Sequence, residues 1–222
     1  MVAYDPQAPL YVKQKPAAPV APTPAPKHVF VAPTAWKEPS EWKSPTNLLA
    51  LADAKSGAVA GTWIRGEKDF VQSSKANGAR LAIPFTLPAQ YDIRATFERK
   101  SGMGDAALIL AHNGKPFIWS MGADNNKCFV FMQVGGKKFD GNSALVRSSA
   151  CLKNGQRYTT LVEVRKDRIS AYLDGALVNE WVPSMGELSL EGVWKLPDGK
   201  QLGLGAWQSE VAFYSLDLVE IK

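Results

Sequence analysis

The strongest constraint on this chain is the segregation of its two turn-forming residues. Ten of the 15 prolines lie in residues 1–45, and all 18 glycines lie at or after Gly57. Proline fixes φ and removes a backbone donor, so a proline-dense stretch supports neither a helix nor a central strand. Glycine supplies the positive φ of tight turns. The chain is therefore expected to divide into an extended Pro/Ala-rich arm, residues 1–44, and a glycine-punctuated domain, residues 45–222. Residues 6–35 read PQAPLYVKQKPAAPVAPTPAPKHVFVAPTA, which predicts polyproline II with a solvated backbone. A segment this poor in apolar bulk builds no core of its own. Its apolar islands (Leu10, Tyr11, Val12, Val29, Phe30, Val31, then Trp36 and Trp42) are the expected anchors, onto a partner surface or onto the flank of its own domain.

From about Pro45 the text becomes short strand-like runs between turn residues. In Tyr91–Glu98, Tyr91, Ile93, Ala95 and Phe97 share one face and Asp92, Arg94, Thr96 and Glu98 the other, the period-2 pattern of a strand with one wet face. Residues 157–165 alternate similarly, with Leu161 breaking the pattern. Residues 168–173 and 176–181 flank Asp174–Gly175, a two-residue hairpin signal. Further strands are expected at 61–65, 79–85, 106–112, 116–121, 128–134, 143–148, 201–206 and 210–221. Turns are expected at His112–Asn113–Gly114, Gly135–Gly136, Asp140–Gly141–Asn142 and Asn154–Gly155. Asn47–Ala54 and Pro183–Leu188 have room for a helical turn or two. In the last strand Val211 and Phe213 share one parity and Leu216 and Leu218 the other, so an extra residue near Tyr214–Ser215, a β-bulge, is required. This pattern predicts an all-β sandwich or barrel.

Four segments resemble the concanavalin A-like, laminin-G-like jelly-roll superfamily, and look most like the uncharacterised bacterial domains common in planctomycetes. They are 47–63 (NLLALADAKSGAVAGTW), 79–98 (ARLAIPFTLPAQYDIRATFE), 157–181 (RYTTLVEVRKDRISAYLDGALVNEW) and 201–218 (QLGLGAWQSEVAFYSLDL). The resemblance covers about residues 46–222 and leaves the arm outside. It implies two curved antiparallel sheets packed face to face. Members of that superfamily bind glycans or proteins, and a minority are glycosidases.

Composition narrows the chemistry. Hydrophobic residues are 45% and charged residues 21%, with a net charge of +5, as in globular domains rather than disordered chains or coiled coils. No apolar run approaches the roughly 20 residues of a membrane-spanning helix, so no transmembrane segment is expected. MVAYDPQAPL lacks the basic and apolar regions of a signal peptide, which leaves a cytoplasmic place, or one peripheral to a larger complex, as the default. Cys128 and Cys151 are the only cysteines; they allow one bridge, and the apolar run around Cys128 favours two buried thiols.

Glycoside hydrolysis needs two carboxylates at a fixed separation. The E-x-D-x-x-E string of laminarinase-type jelly rolls is absent, since Glu163 and Glu98 are each followed by basic or apolar residues. Of two histidines, His28 lies in the arm and His112 reads as a solvated turn residue, so no triad base is expected. Gly102–Met103–Gly104 and Gly203–Leu204–Gly205 lack phosphate-loop context, no Cys/His cluster has zinc spacing, and no metal site is expected. Asp124, Asn125, Asn126, Asp105 and Asp140 are oxygen donors suited to calcium, but an ordinary polar turn explains them. Lys137–Lys138, Arg147, Arg165, Lys166 and Arg168 are interspersed with acids and predict a solvated face, not a nucleic-acid surface. For a sugar, Trp119, Asp124, Asn126, Trp207 and Gln208 form the expected cluster of aromatic platform and polar groups, although core packing is the ordinary role of a strand tryptophan.

The sequence alone thus predicts a non-enzymatic jelly-roll sandwich without cofactor. Its first expected role is an accessory subunit bound to protein partners through the arm; its alternative is a carbohydrate-binding, lectin-like module on a flexible tether.

Overall fold

The computed structural model describes residues 42, 44–67 and 69–222. Seven of the eight expected arm anchors, Leu10 to Trp36, fall outside them. Among the described residues there are fifteen strands. They are β1 (Thr46–Asn47), β2 (Ala58–Ala60), β3 (Trp63–Arg65), β4 (Val71–Ser73), β5 (Ala79–Thr86), β6 (Tyr91–Gly102), β7 (Ala106–His112), β8 (Lys115–Gly122), β9 (Cys128–Met132), β10 (Leu145–Arg147), β11 (Arg157–Val164), β12 (Ile169–Leu173), β13 (Ala176–Trp181), β14 (Gln201–Ala206) and β15 (Ser209–Glu220).

One sheet runs β13-β12-β11-β6-β15-β4-β3, with β1 paired onto β15; the other runs β10-β9-β8-β7-β14-β5-β2. All pairings are antiparallel. This is the two-sheet sandwich that the alternation predicts. Short 3-10 turns stand at Leu49–Leu51 and Pro183–Met185, where brief helices were expected, and a third at Gly192–Trp194. The sequence reading missed β1, β2 and β4, each only two or three residues long. No helix among the described residues is long and apolar enough to cross a membrane.

The sheets close on one core. Tyr91, Ile93, Ala95 and Phe97 of β6 all point into it and are fully buried. Phe97 lies 5.8 Å from Tyr158 and 6.2 Å from Phe213, ring centroid to centroid. The Tyr91 hydroxyl, sealed among apolar side chains, donates to the Ala111 carbonyl at 2.8 Å. The expected bulge is present: Phe213 pairs with Phe97 and Ser215 with Thr96, leaving Tyr214 as the extra residue. Phe213 and Leu216 therefore both reach the core at 0% exposure. A second register shift lies between Glu210 and Val211. Asp174 and Gly175 both take positive φ, 48° and 84°, as a tight turn matched to strand twist requires. Cys128 and Cys151 are unpaired and buried, and burial pushes both thiols up to about 12.

One expectation needs correction. His112 is not a solvated turn residue. The turn is Asn113–Gly114, at φ 48° and 74°, so His112 is the last residue of β7 and is buried. Its Nε2 lies 2.9 and 3.1 Å from the carbonyls of Arg165 and Lys166, and Trp181 packs edge-on at 5.1 Å. Trp42, expected as an anchor, is half-buried against its own sandwich, with the Arg94 guanidinium 4.5 Å from its ring centroid.

The outer face of the seven-stranded sheet carries a second apolar layer. Ala107, Ile109, Ile118, Val130 and Met132 point outward there and are buried under Trp194, with Leu190, Val193 and Leu196 beside it. Residues 187–196 thus form a roof. It is tied down by reciprocal bonds between Gln133 and Ser189, at 2.8 and 2.9 Å, and by Gly135 N–H to the Glu187 carbonyl at 2.9 Å. The alternating glycines of β14 explain how the roof fits. Leu202, Leu204 and Ala206 face the core, while a Cβ on outward-facing Gly205 would stand 2.8 Å from the Trp194 ring. Gly205 makes room for an indole, and Gly203, whose Cβ would stand 2.7 Å from Leu196, for a leucine; neither cradles a phosphate.

Candidate functional site

Where the roof stops short of the sheet end, a cleft of about 230 Å³ opens. Two turns and one side chain define it. The first turn follows β8. Asp124, Asn125 and Asn126 all have positive φ, 53°, 57° and 66°, a left-handed turn of three non-glycine residues. Each such residue costs about 1–2 kcal/mol, least for Asn and Asp, and persists only where the surroundings over-determine it. Here they do. Asn126 Oδ1 accepts from Arg99 Nη1 at 3.1 Å and from Leu152 N–H at 2.9 Å, and its Nδ2 donates to the Leu152 carbonyl at 2.9 Å. Arg99, 2% exposed, also donates to Asn154 Oδ1, the Gly104 carbonyl and the Leu152 carbonyl. On the outer side Arg147 forms an ion pair with Asp124 and lies 3.8 Å from Asp140. A guanidinium thus occupies the place between these acids that a calcium ion would need. Among the described residues no group of three or more His, Cys, Asp or Glu side chains is arranged to hold a metal.

The second turn, Trp207–Gln208, joins β14 to β15. Trp207 N–H donates to the Asp105 carbonyl at 3.2 Å and Gln208 N–H to the Ala76 carbonyl at 2.7 Å. Gln208 has φ 48°. The turn comes so close to Gly104 that a Cβ there would meet the Trp207 carbonyl oxygen at 1.8 Å. Trp207 is half-buried, 6.0 Å from Trp194 between ring centroids.

The side chain between the turns is Asp105, which precedes β7 on the outward parity. It is 4% exposed and hydrogen-bonded to Ser120 Oγ, itself fully buried. Burial pushes its carboxyl up to about 6, while the Ser120 hydrogen bond, Lys138 and Arg99 oppose the rise. Neither cation pairs with it. Lys138 Nζ lies 2.9 Å from Glu191 Oε2, and the Arg99 donors go to the four oxygens already named. Aromatic walls, exposed amides and one buried carboxyl make a small polar-floored cleft that can stack an apolar ring face and accept hydroxyl hydrogen bonds.

The structure brings together three of the five residues expected to meet a sugar: Asp124, Trp207 and Gln208 line this cleft. Trp119 does not. It lies on the inward parity of β8, fully buried, with Nε1 donating to Thr160 Oγ1 at 3.0 Å, so core packing takes it. Asn126 spends its amide inside the protein, supporting the turn. Sequence reasoning missed Trp194, Phe139 and Lys138 as lining residues, and it named Asp105 as an oxygen donor suited to calcium, not as part of a sugar site. The legible signal was the glycine alternation of β14, which marks a bulky group lying across the strand.

A larger groove, about 890 Å³, opens between residues 49–55, β3 and the β15 bulge. Its charged groups Asp53, Lys55, Arg65 and Asp69 are exposed, Asp217 is half-buried, and Arg65 and Asp53 are already committed. Arg65 donates to the carbonyls of Leu49 and Ala52, and Asp53 accepts from the N–H groups of Lys55 and Ser56. No polar lining side chain there is buried, so it lacks the convergent polar floor of the cleft.

No protein-family model matches the sequence, and no curated protein is similar to it. Solved structures share the fold. The carbohydrate-binding module CBM66 from Bacillus subtilis superposes with a TM-score of 0.54 at 18% identity, covering 74% of this chain and 94% of that one. An apo Crh5 transglycosylase gives 0.52 at 14%, covering 81% and 89%. A Bacillus subtilis protein of unknown function with a galectin-like fold gives 0.51 at 9%, covering 76% and 98%. At these identities the likeness is one of fold, an antiparallel two-sheet jelly-roll sandwich.

Proposed function

We propose that this chain is a carbohydrate-binding module, with residues 45–222 as the binding unit, residues 1–44 as its tether, and the Trp207 cleft as its ligand site. The observation that carries this reading is the convergence of Trp207, Gln208, Asp124 and Asn125 around the buried Asp105. A half-buried indole offers a face to sugar C–H groups, and amides and carboxylates bond the hydroxyls. The shared fold with a structure titled a carbohydrate-binding module supports the reading. The four sequence segments quoted above place the unit, in our reading, in the bacterial laminin-G-like branch of the jelly rolls. Binding proceeds without turnover: Glu98 and Glu163 stand on the outer face of the other sheet, away from Asp105. The competing role, a subunit held in an assembly through residues 1–44, draws no support from the described residues, where the one anchor, Trp42, packs on its own sandwich.

The test is a glycan array probed with the full chain and with Trp207→Ala. Selective retention that disappears in the variant, with an unchanged melting temperature, supports the proposal. An array without hits removes it, and release of shorter oligosaccharides would replace binding by catalysis.

A further inference from the structure

The Trp207 cleft holds one carboxyl without an ion-pair partner. Its rim acid, Asp124, is paired with Arg147. Its lining cation, Lys138, is paired with Glu191, at 2.9 Å to Oε2 and 3.2 Å to Oε1. Arg99 stands behind Gly104 and is 2% exposed, with its donors given to carbonyl and amide oxygens. The carboxyl of Asp105, at the floor, has Ser120 Oγ as its side-chain partner and no ion pair. A charge this deep acts through a low effective dielectric and is screened little by salt. An anionic group entering the cleft meets it without a free cation to offset the repulsion. A neutral hydroxyl instead gains a charge-assisted hydrogen bond, and an ammonium gains an ion pair.

Resting on the carbohydrate-binding reading above, we infer that the cleft selects neutral or amino sugars and rejects uronic, sulfated or phosphorylated ones, with Asp105 as the residue that sets this choice. The groups facing Asp105 are Ser120 from β8, Lys138 from the loop after β9, Arg99 from β6 and Glu191 from the roof. None supplies a cation free to receive an acidic ligand.

The experiment titrates the full chain, at pH 7.5 and low salt, with three soluble probes followed by tryptophan fluorescence: neutral gluco-oligosaccharides, glucosamine oligosaccharides and galacturonic acid oligosaccharides. The expected result is uronate binding at least about tenfold weaker than the best of the other two, a difference of about 1.4 kcal/mol. Asp105→Asn should shrink that gap while keeping a melting temperature at pH 7.5 no lower than the parent's. Lys138→Met, a second variant that leaves Asp105 in place, should widen it. Uronate bound as tightly as the neutral probe overturns the inference, as does a gap unmoved in both variants. A lower melting temperature for Asp105→Asn at this pH also overturns it, because the carboxyl would then be structural. If the array and all three probes show no binding, the carbohydrate reading itself fails; if probes bind without discrimination, only the charge selection does.

Discussion

At the residue scale, Asp105 and Arg99 show how one buried charge is tolerated and another is used. Folding raises the Asp105 pKa from 3.8 to about 6 through burial, so the folded protein holds this proton more tightly than the unfolded chain. Its contribution to stability is therefore greatest below pH 4, declines as pH rises through about 6, and is then flat. Asp105→Asn should flatten the pH profile and raise stability above pH 7 while leaving it nearly unchanged at pH 4, as urea titrations at the two pH values would show. Arg99→Met should do the reverse. It takes the Arg99 donors from Asn154 Oδ1 and the Gly104 carbonyl, and one of two donors from Asn126 Oδ1 and the Leu152 carbonyl, and should cost about 3 kcal/mol by the same measurement. These residues explain why the site was half legible. Trp207, Gln208 and Asp124 announced themselves by type and by position in turns. Asp105 and Trp194 could not, because their meaning depends on what lies across the strand from them. Trp119 misled because an indole looks the same in sequence whether its parity points inward or outward.

At the scale of elements, the left-handed turn at Asp124–Asn126 and the bulge at Tyr214 carry separate consequences. Asn125 is exposed and contributes backbone geometry, so Asn125→Gly should hold or raise stability by up to about 1 kcal/mol. Asn126→Ala removes three side-chain hydrogen bonds and should cost about 2–3 kcal/mol; thermal melts of both variants separate conformation from bonding. Deleting Tyr214 would remove the extra residue and leave Phe213, Ser215, Leu216 and Leu218 in unbroken alternation, so both leucines should stay on the core face and urea unfolding should remain cooperative. The long strands were readable because alternation over five or more residues leaves little choice of register. The bulge was readable for the same reason, since it breaks an alternation that resumes. β1, β2 and β4 were not, because two or three residues carry no period and their pairing is fixed by neighbours far away in sequence.

At the scale of the molecule, both thiols sit in the sandwich, Cys151 in the inter-sheet core and Cys128 in the outer layer under the roof. With burial holding each near 12, neither is nucleophilic at neutral pH. Labelling by a thiol reagent should follow global unfolding, with one rate for both cysteines. A faster phase at Cys128 alone would show that the roof opens independently. That possibility matters because strand pairing holds each sheet together, whereas residues 187–196 are secured by a few backbone bonds, the Lys138–Glu191 ion pair and apolar side chains laid on the sheet, with the Trp194 indole resting on bare glycine. A frame so divided can exchange its ceiling without rebuilding its walls: new lengths or side chains in that one stretch would recut the opening beside Trp207 while the hydrogen-bonded lattice beneath stayed as it is.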